Sequence, residues 1–378
     1  MKSDISSLEL HYMLKELQLL IGAKIEQIYE LGKEELVIQF HVPNTGKQIL
    51  RIVLGKMLYI ASVKGGMPEK PPGFCLHLRK RLKSARVREV SQIGFDRIVE
   101  FFLETKDAKF RFTIELFSKG NIILCDESGK IISVLERQEW KGRSIRPGQQ
   151  YAHPKKEVDF LTLTKEGLDS VLAKSDRESL VKSLAIDLGL GGIYAEEVCL
   201  ISGVDKNLKP GQLSDKEKQS LLKASVSLVN MDIESFVIYK DAEKTEVKDV
   251  VPLKIQYYRS LPAEPKESFS AALDSVFTTH EEHKELEHTE NAAKTKIDKI
   301  NEMISQQTLR VKGLEESADV NQRKGEVIYE NYPIVEQVLK EIAELKKELS
   351  WADINKRFKG HKIIKGVDEK TGEITLEL

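Results

Sequence analysis

The sequence predicts an α+β protein in which an N-terminal antiparallel β domain leads into a helical domain and then into a coiled-coil arm. Three observations predict it. Short β-branched and aromatic runs separated by turn residues occupy the first 150 or so positions, apolar residues recur at helical spacing beyond them, and from about residue 268 Glu, Lys, Ala and Leu dominate.

Ser6-Ser7-Leu8-Glu9 fits a capping box at the head of an apolar-periodic stretch reaching about Leu20, where Gly22 stops the first helix. Runs at 25–31, 36–42, 49–54 and 58–63 read as strands, with Pro43-Asn44-Thr45-Gly46 as one of the turns between them. Pro71-Pro72-Gly73 introduces a second helix over 74–84. Strands resume at 87–93, 97–103, 110–117, 122–125 and 131–135, which places one sheet in a domain spanning 1–160.

The aperiodic stretch 151–164, containing Pro154, marks the first boundary, and a helical domain is expected over 161–262. Within it, Leu188-Gly189-Leu190-Gly191-Gly192-Ile193 joins two apolar-periodic stretches. Two readings fit. The amides around Gly189, Gly191 and Gly192 could form the phosphate-contacting turn of a helix-hairpin-helix unit, or the glycines could simply cap and turn the chain between helices. Leu261-Pro262-Ala263-Glu264-Pro265 marks the second boundary. In the arm, 263–350, the residues Ile297, Ile300, Ile304, Gln307, Val311, Leu314 and Ala318 alternate by three and four, the seam of a coiled coil. That seam needs a partner helix, from elsewhere in the chain, from a second copy in a homodimer, or from a segment beyond this sequence. Gly325 and Pro333 mark a break, and 351–378 reads as the start of a further domain, cut short.

Composition narrows the function. The chain is 40% hydrophobic, contains no run of about eighteen apolar residues and opens Met1-Lys2-Ser3-Asp4 without a signal core, so a cytoplasmic protein with no membrane partner is expected. Cys75, Cys125 and Cys199 are odd in number and far apart, indicating neither disulfides nor zinc. The net charge of −1 conceals an asymmetry: residues 1–155 hold 26 Lys+Arg against 18 Asp+Glu, and the remainder 33 against 42. A positive first domain points to a polyanion.

No nucleophile elbow, Walker loop, HExxH or paired Cys-x-x-Cys is present, and no cofactor or enzyme chemistry is expected. His280, His283 and His288 are spaced as on a solvated helix rather than in a metal site. Arg79-Lys80-Arg81, with Lys83, Arg86 and Arg88, is expected to turn its cations outward while Leu78 and Leu82 anchor the helix; the face is either an ordinary solvated one or, as the positive domain charge favours, one that meets RNA phosphate. Gly94-Phe95-Asp96-Arg97 reads as a strand turn whose acid and base either pair with each other or together meet a base edge and a phosphate.

In order, the opening Met1-Lys2 to Leu10, the helix with Leu78-Arg79-Lys80, Gly94-Phe95-Asp96-Arg97, Glu115-Leu116-Phe117, Gly120-Asn121-Ile122-Ile123-Leu124 and Arg146-Pro147-Gly148-Gln149-Gln150-Tyr151 resemble the NFACT family, with features closer to its archaeal or eukaryotic members. The resemblance implies an N-terminal domain similar in fold to that of formamidopyrimidine-type DNA glycosylases, a helix-hairpin-helix domain, a coiled-coil arm and further RNA-binding structure. It implies a ribosome quality control factor that binds large ribosomal subunits carrying peptidyl-tRNA, through ribosomal RNA and protein. Such a factor recruits tRNA, alanyl-tRNA in prokaryotes, for untemplated tailing of the stalled chain. Asp96 and Arg97 match the family's tRNA-recruiting pair, and Glu9 stands where many members have Asp. The expected tRNA-binding set is Asp96, Arg97, Glu9, Arg79, Lys80, Arg81, Lys83, Glu115 and Arg146. Glycosylase chemistry is not implied, because Lys2 and Ser3 replace that family's proline nucleophile and glutamate. A DNA-processing enzyme of the same fold and a fibronectin-binding adhesin are the competing readings.

Overall fold

The structure, a computed structural model, describes residues 2–32, 34–63, 70–140, 142–154 and 158–378, excepting the side chains of residues 140 and 279–295. The three arm histidines fall among the excepted side chains. Two compact units divide the chain, Met1–His283 and Lys284–Leu378.

The first unit opens with α1 (Ser7–Leu17), started by the expected capping box: the Ser6 hydroxyl accepts from the Glu9 amide at 3.2 Å, and the Glu9 carboxylate accepts from the Ser6 amide at 2.7 Å. A 3-10 turn, Gln18–Leu20, completes the stretch before Gly22 reverses the chain at φ +86°. Four strands follow: β1 (Lys24–Leu31), β2 (Glu35–Val42), β3 (Gly46–Val53) and β4 (Met57–Ala61). After α2 (Gly73–Leu82) come β5 (Arg86–Gln92), β6 (Ile98–Glu104), β7 (Lys109–Glu115), β8 (Asn121–Asp126) and β9 (Ile131–Val134). All nine form one antiparallel sheet, in the order β4-β3-β2-β1-β5-β6-β7-β8-β9. It is two meanders joined where Lys24 pairs with Arg86. On β7, Phe110, Phe112 and Ile114 alternate into the sheet's apolar cluster, as a strand buried on one face requires. A short hairpin, β10 (Gln138–Trp140) and β11 (Arg143–Ile145), was too brief to show in the sequence pattern.

Beyond residue 160 lie α3 (Lys165–Lys174), α4 (Leu180–Ile186), α5 (Gly192–Ser202) and α6 (Asp215–Val229). The segment expected to be helical to residue 262 then departs from that expectation. Ser235–Tyr239 (β12), Val247–Val251 (β13) and Ala263–Lys266 (β14) form a second sheet, ordered β13-β12-β14. The proline-bracketed segment read as a boundary is thus an edge strand, where a proline without an N–H is tolerated.

Helix α1 is buried on both sides, which makes it the join of this unit. Leu10, Met13, Leu14 and Leu17 enter the sheet's cluster, while Leu8 and Tyr12 enter a second cluster built mainly from α3–α6 and the second sheet. The Tyr12 hydroxyl donates to the Leu228 carbonyl at 2.6 Å, supplying the partner a buried phenol needs. Helix α7 (Phe269–Glu330) starts on the same framework: the Glu16 carboxylate accepts from the amides of Phe269 (2.6 Å) and Ser270 (2.9 Å), satisfying orphan donors at its N-terminus.

In the second unit, Ile297, Ile300, Ile304, Val311 and Leu314 of α7 are exposed. Gly325 does not break the helix; the break falls at Asn331, before Pro333 in the first turn of α8 (Tyr332–Leu345). With α9 (Trp351–Arg357), β15 (Ile364–Val367) and β16 (Ile374–Leu376), α8 encloses a small core of Val338, Ile342, Ile354, Phe358, Ile364 and Val367. No described helix is long and apolar enough to cross a membrane.

Candidate functional site

A cleft of about 570 Å³ opens in the first unit, where the N-terminal segment, the β5–β6 turn, the α4–α5 connection and the second sheet converge. Lys2, Asp4, Ser6, Glu9, Arg97, Gly189, Gly191, Gly192, Tyr194, Lys248, Asp249, Tyr257 and Tyr258 are among its lining residues.

Its floor is a buried polar network. The Lys2 ammonium donates to Glu9 Oε1 at 2.7 Å and to Asp249 Oδ1 at 2.9 Å. The Tyr194 hydroxyl donates to Glu9 Oε1 at 2.9 Å, and the Tyr258 hydroxyl to Asp249 Oδ2 at 2.7 Å. Burial alone would lower the Lys2 pKa; the two carboxylates outweigh it and hold the ammonium above its ordinary value. Burial first, and then the neighbouring carboxylates, push both phenols up, Tyr194 beside Glu9 and Tyr258 beside Asp249. Three stretches far apart in sequence are thereby fixed together: the N-terminus with α1, the start of α5, and β13 with the 3-10 turn Gln256–Tyr258.

One wall is Arg97. Its guanidinium pairs with Asp4 and donates to the carbonyls of Gly55, at 2.7 Å, and Leu116. Those carbonyls meet because two turns are pressed together. Gly55 and Gly120 have φ of +69° and +73°, and a Cβ on Gly120 would lie 2.2 Å from the Gly55 nitrogen, so glycine is required there. The Arg97 side chain keeps 19% exposure, so most of its donor capacity holds the fold and one edge faces the cleft. Asp96 and Arg97 are expected from sequence either to pair with each other or to face a ligand together, whereas the acid paired with Arg97 is Asp4. Asp96 is half-buried in the same turn, where its carbonyl accepts from the Gln92 side chain at 2.9 Å.

A second wall is the glycine connection. Gly189 and Gly191 adopt φ of +75° and +77°, the turn amides of Leu190 and Gly191 return to Leu184 and Ala185, and Gly191 is the N-cap of α5. Gly191 carries no capping side chain, so the first-turn amides of Gly192, Ile193 and Tyr194 stand at the cleft with the positive end of the helix dipole. Exposed Lys248 adds a cation at the rim.

The cleft therefore brings together Glu9, Arg97, Gly189, Gly191 and Gly192. Glu9 is 2% exposed with both oxygens engaged, so it acts through Lys2 and Tyr194 rather than by reaching a ligand. The other expected residues lie elsewhere. On α2, Arg79 bends back, its Nε donating to the Ile28 carbonyl at 2.6 Å and its guanidinium lying 5.3 Å from the Tyr29 ring. Lys80 and Lys83 are exposed and Arg81 is half-buried, so the outward basic face is narrower than the sequence suggested. Glu115, expected to contact tRNA, is 1% exposed, paired with Arg143 and accepting from the Tyr151 hydroxyl at 2.7 Å. Burial removes it from direct contact with an RNA. Arg146 is exposed and pairs with Glu139 at 2.7 Å.

Asp4, Tyr194, Lys248, Asp249, Tyr257 and Tyr258 were not singled out by sequence. Lys248 and Asp249 sit among the three valines of Val247–Val251, and nothing in that short stretch marks either as a cleft residue.

The family model described as NFACT N-terminal and middle domains matches residues 6–374. An archaeal Rqc2 homolog, aRqcH, from Methanocaldococcus jannaschii is 30% identical over all of this chain and 58% of its own length. The human ribosome quality control complex subunit NEMF is 25% identical over 94% of this chain and 35% of its own. The chain thus spans between about a third and three fifths of these two relatives. Among solved structures, the N-terminal part of the fibronectin/fibrinogen-binding protein of Streptococcus suis shares the fold, with a TM-score of 0.59 at 24% identity over 73% of this chain and 100% of that one. A fibrinogen-binding protein from Staphylococcus aureus is similar, with a TM-score of 0.57 at 18% identity over 71% and 97%. With the sheet, the helical region and all of the cleft except Lys2, Ser3 and Asp4 inside the matched span, the chain belongs to the NFACT family.

Proposed function

We propose that the chain is the tRNA-binding part of a ribosome quality control factor, which engages obstructed large ribosomal subunits carrying peptidyl-tRNA and recruits aminoacyl-tRNA for untemplated tailing of the stalled nascent chain. The observation that carries the reading is the cleft, where an edge of Arg97, the Lys248 ammonium and the uncapped amides of α5 face one concavity suited to phosphate oxygens. A surplus of cations over residues 1–155 adds long-range attraction. The human relative is named a ribosome quality control complex subunit, and the archaeal relative an Rqc2 homolog. In this reading residues 161–266 supply a helix-hairpin-helix unit with an appended three-stranded sheet. Helix α7, Phe269–Glu330, supplies the first half of a coiled coil, whose exposed Ile297 and Leu314 await a partner helix.

The role is recognition rather than catalysis, in the cytoplasm. Lys2 supports this, because an ammonium held between two carboxylates with its pKa raised is a poor nucleophile. Fluorescence anisotropy with labelled tRNA tests the reading. Micromolar or tighter binding is expected, falling steeply with salt and weakened at least fivefold by Arg97→Ala and by Asp96→Ala. Wild-type affinity in both variants would remove this turn from the site.

A further inference from the structure

We propose that Tyr257 is a stacking platform for one unpaired base of the bound RNA. The proposal deepens the tRNA reading and rests on it. Tyr257 is 43% exposed and lines the cleft, on the wall that also carries its neighbour Tyr258. An exposed ring beside a polar cleft is a surface for a flat partner.

Its backbone is pinned. The Glu197 carboxylate, 1% exposed on α5, accepts from the amides of Gln256 and Tyr257, each at 2.9 Å, and so satisfies the start of the 3-10 turn Gln256–Tyr258. The adjacent Tyr258 ring stands edge-on, 5.0 Å away at 66°, and is itself fixed by its hydrogen bond to Asp249. Tyr257 is thus an exposed ring on a turn held by two buried carboxylates. A base docking on it loses little protein entropy, which is the condition under which stacking contributes to affinity.

The surroundings select nucleic acid. Lys248 and Arg97 line the same cleft and present cations to a backbone while a base lies on the ring. A volume of about 570 Å³ admits a nucleotide or two and excludes a duplex. The base must therefore come from a loop or a single-stranded end.

The test is anisotropy with labelled tRNA at several salt concentrations, using wild type, Tyr257→Ala and Tyr257→Phe. Because the side chain is exposed, both variants are expected to fold, which a thermal melt verifies. Tyr257→Ala is expected to weaken binding roughly five- to 150-fold, Tyr257→Phe to remain within about twofold of wild type, and the log–log salt slope to be the same in all three, since stacking releases no counterions. A fully paired RNA is expected to bind wild type and Tyr257→Ala equally. Trimming the unpaired 3′ end of the tRNA locates the base: if the Ala penalty disappears the base belongs to that end, and if it persists the base belongs to a loop. Wild-type affinity in Tyr257→Ala overturns the proposal and leaves the tRNA reading standing. A Phe variant as weak as Ala, or a penalty that persists on paired RNA, overturns it likewise. A wild-type chain that does not bind tRNA overturns the tRNA reading and this proposal together.

Discussion

Lys2 and Asp249 are 247 positions apart in sequence, and their side chains meet at 2.9 Å beneath the cleft. The ammonium also holds Glu9, so one cation closes a network that ties α1 to β13 and, through Tyr194 and Tyr258, to the second apolar cluster. The relation between the Arg97 wall and the glycine wall depends on it.

Lys2→Met is therefore expected to be costly out of proportion to its volume. It leaves two buried carboxylates without their cation, a loss of roughly 3–5 kcal/mol when one partner of a buried pair is removed. A drop in melting temperature of roughly 6–20 °C follows for a unit of this size. Differential scanning calorimetry of wild type and variant measures it; a change under about 2 °C would mean that the network contributes little.

Glu9 serves both as the capping glutamate and as a member of that network, and two substitutions separate the roles. Ser6→Ala removes the cap alone, at about 1 kcal/mol. Glu9→Ala also leaves Lys2 and the Tyr194 hydroxyl short of an acceptor, so a loss of roughly 3 kcal/mol or more is expected. Urea unfolding of both variants gives the comparison, and equal losses would reduce Glu9 to a helix cap.

Gly120→Ala is expected to disrupt the seat of Arg97. The added Cβ would meet the Gly55 nitrogen at 2.2 Å, and the residue has φ +73° besides. Gly22→Ala is the control, because it shares a positive φ but has open space around its Cβ. A loss of at least about 3 kcal/mol for Gly120→Ala, against about 1–2 for Gly22→Ala, is expected from chemical denaturation. Equal losses would show that the two turns move apart easily.

His153 gives the fold a dependence on pH. Burial holds its pKa below the ordinary value, with Arg111 and Arg143 adding to the effect against Glu100 and Glu115. The unfolded chain therefore binds the proton more readily than the folded one. This contribution to stability is complete above the unfolded pKa of about 6.5 and is lost as pH falls from there through the folded value. In melts between pH 7 and pH 5, His153→Phe should lose less stability than wild type. Parallel pH profiles would contradict this.

The sequence revealed what periodicity and local chemistry encode. The strands of the large sheet fell within a few residues of their predicted ends, because alternating apolar residues such as Phe110, Phe112 and Ile114 must face one core. The Ser6–Glu9 box was visible because its hydrogen bonds are three residues apart. Side-chain pairing at long range was not visible. Nothing near Arg97 names Asp4, or Gly55 and Leu116, as its partners, and so the adjacent Asp96 stood in for them. Glu115 is expected at the tRNA through the family resemblance, and only its pairing with Arg143 and Tyr151 shows it to lie inside. Strand β12 was missed although Ser235–Tyr239 is rich in β-branched and aromatic residues, because the surrounding helices set the expectation for the whole segment.

The most direct test of the cleft as the tRNA site is the salt dependence of tRNA affinity for wild type and Gly192→Glu. Gly192 begins α5, is exposed and has open space where a Cβ would stand, so the variant is expected to fold while placing a carboxylate at the uncapped helix end. At least a tenfold loss of affinity at low salt and a shallower log–log slope are expected, as phosphate contacts are lost. Unchanged affinity and slope in a folded Gly192→Glu protein would contradict this.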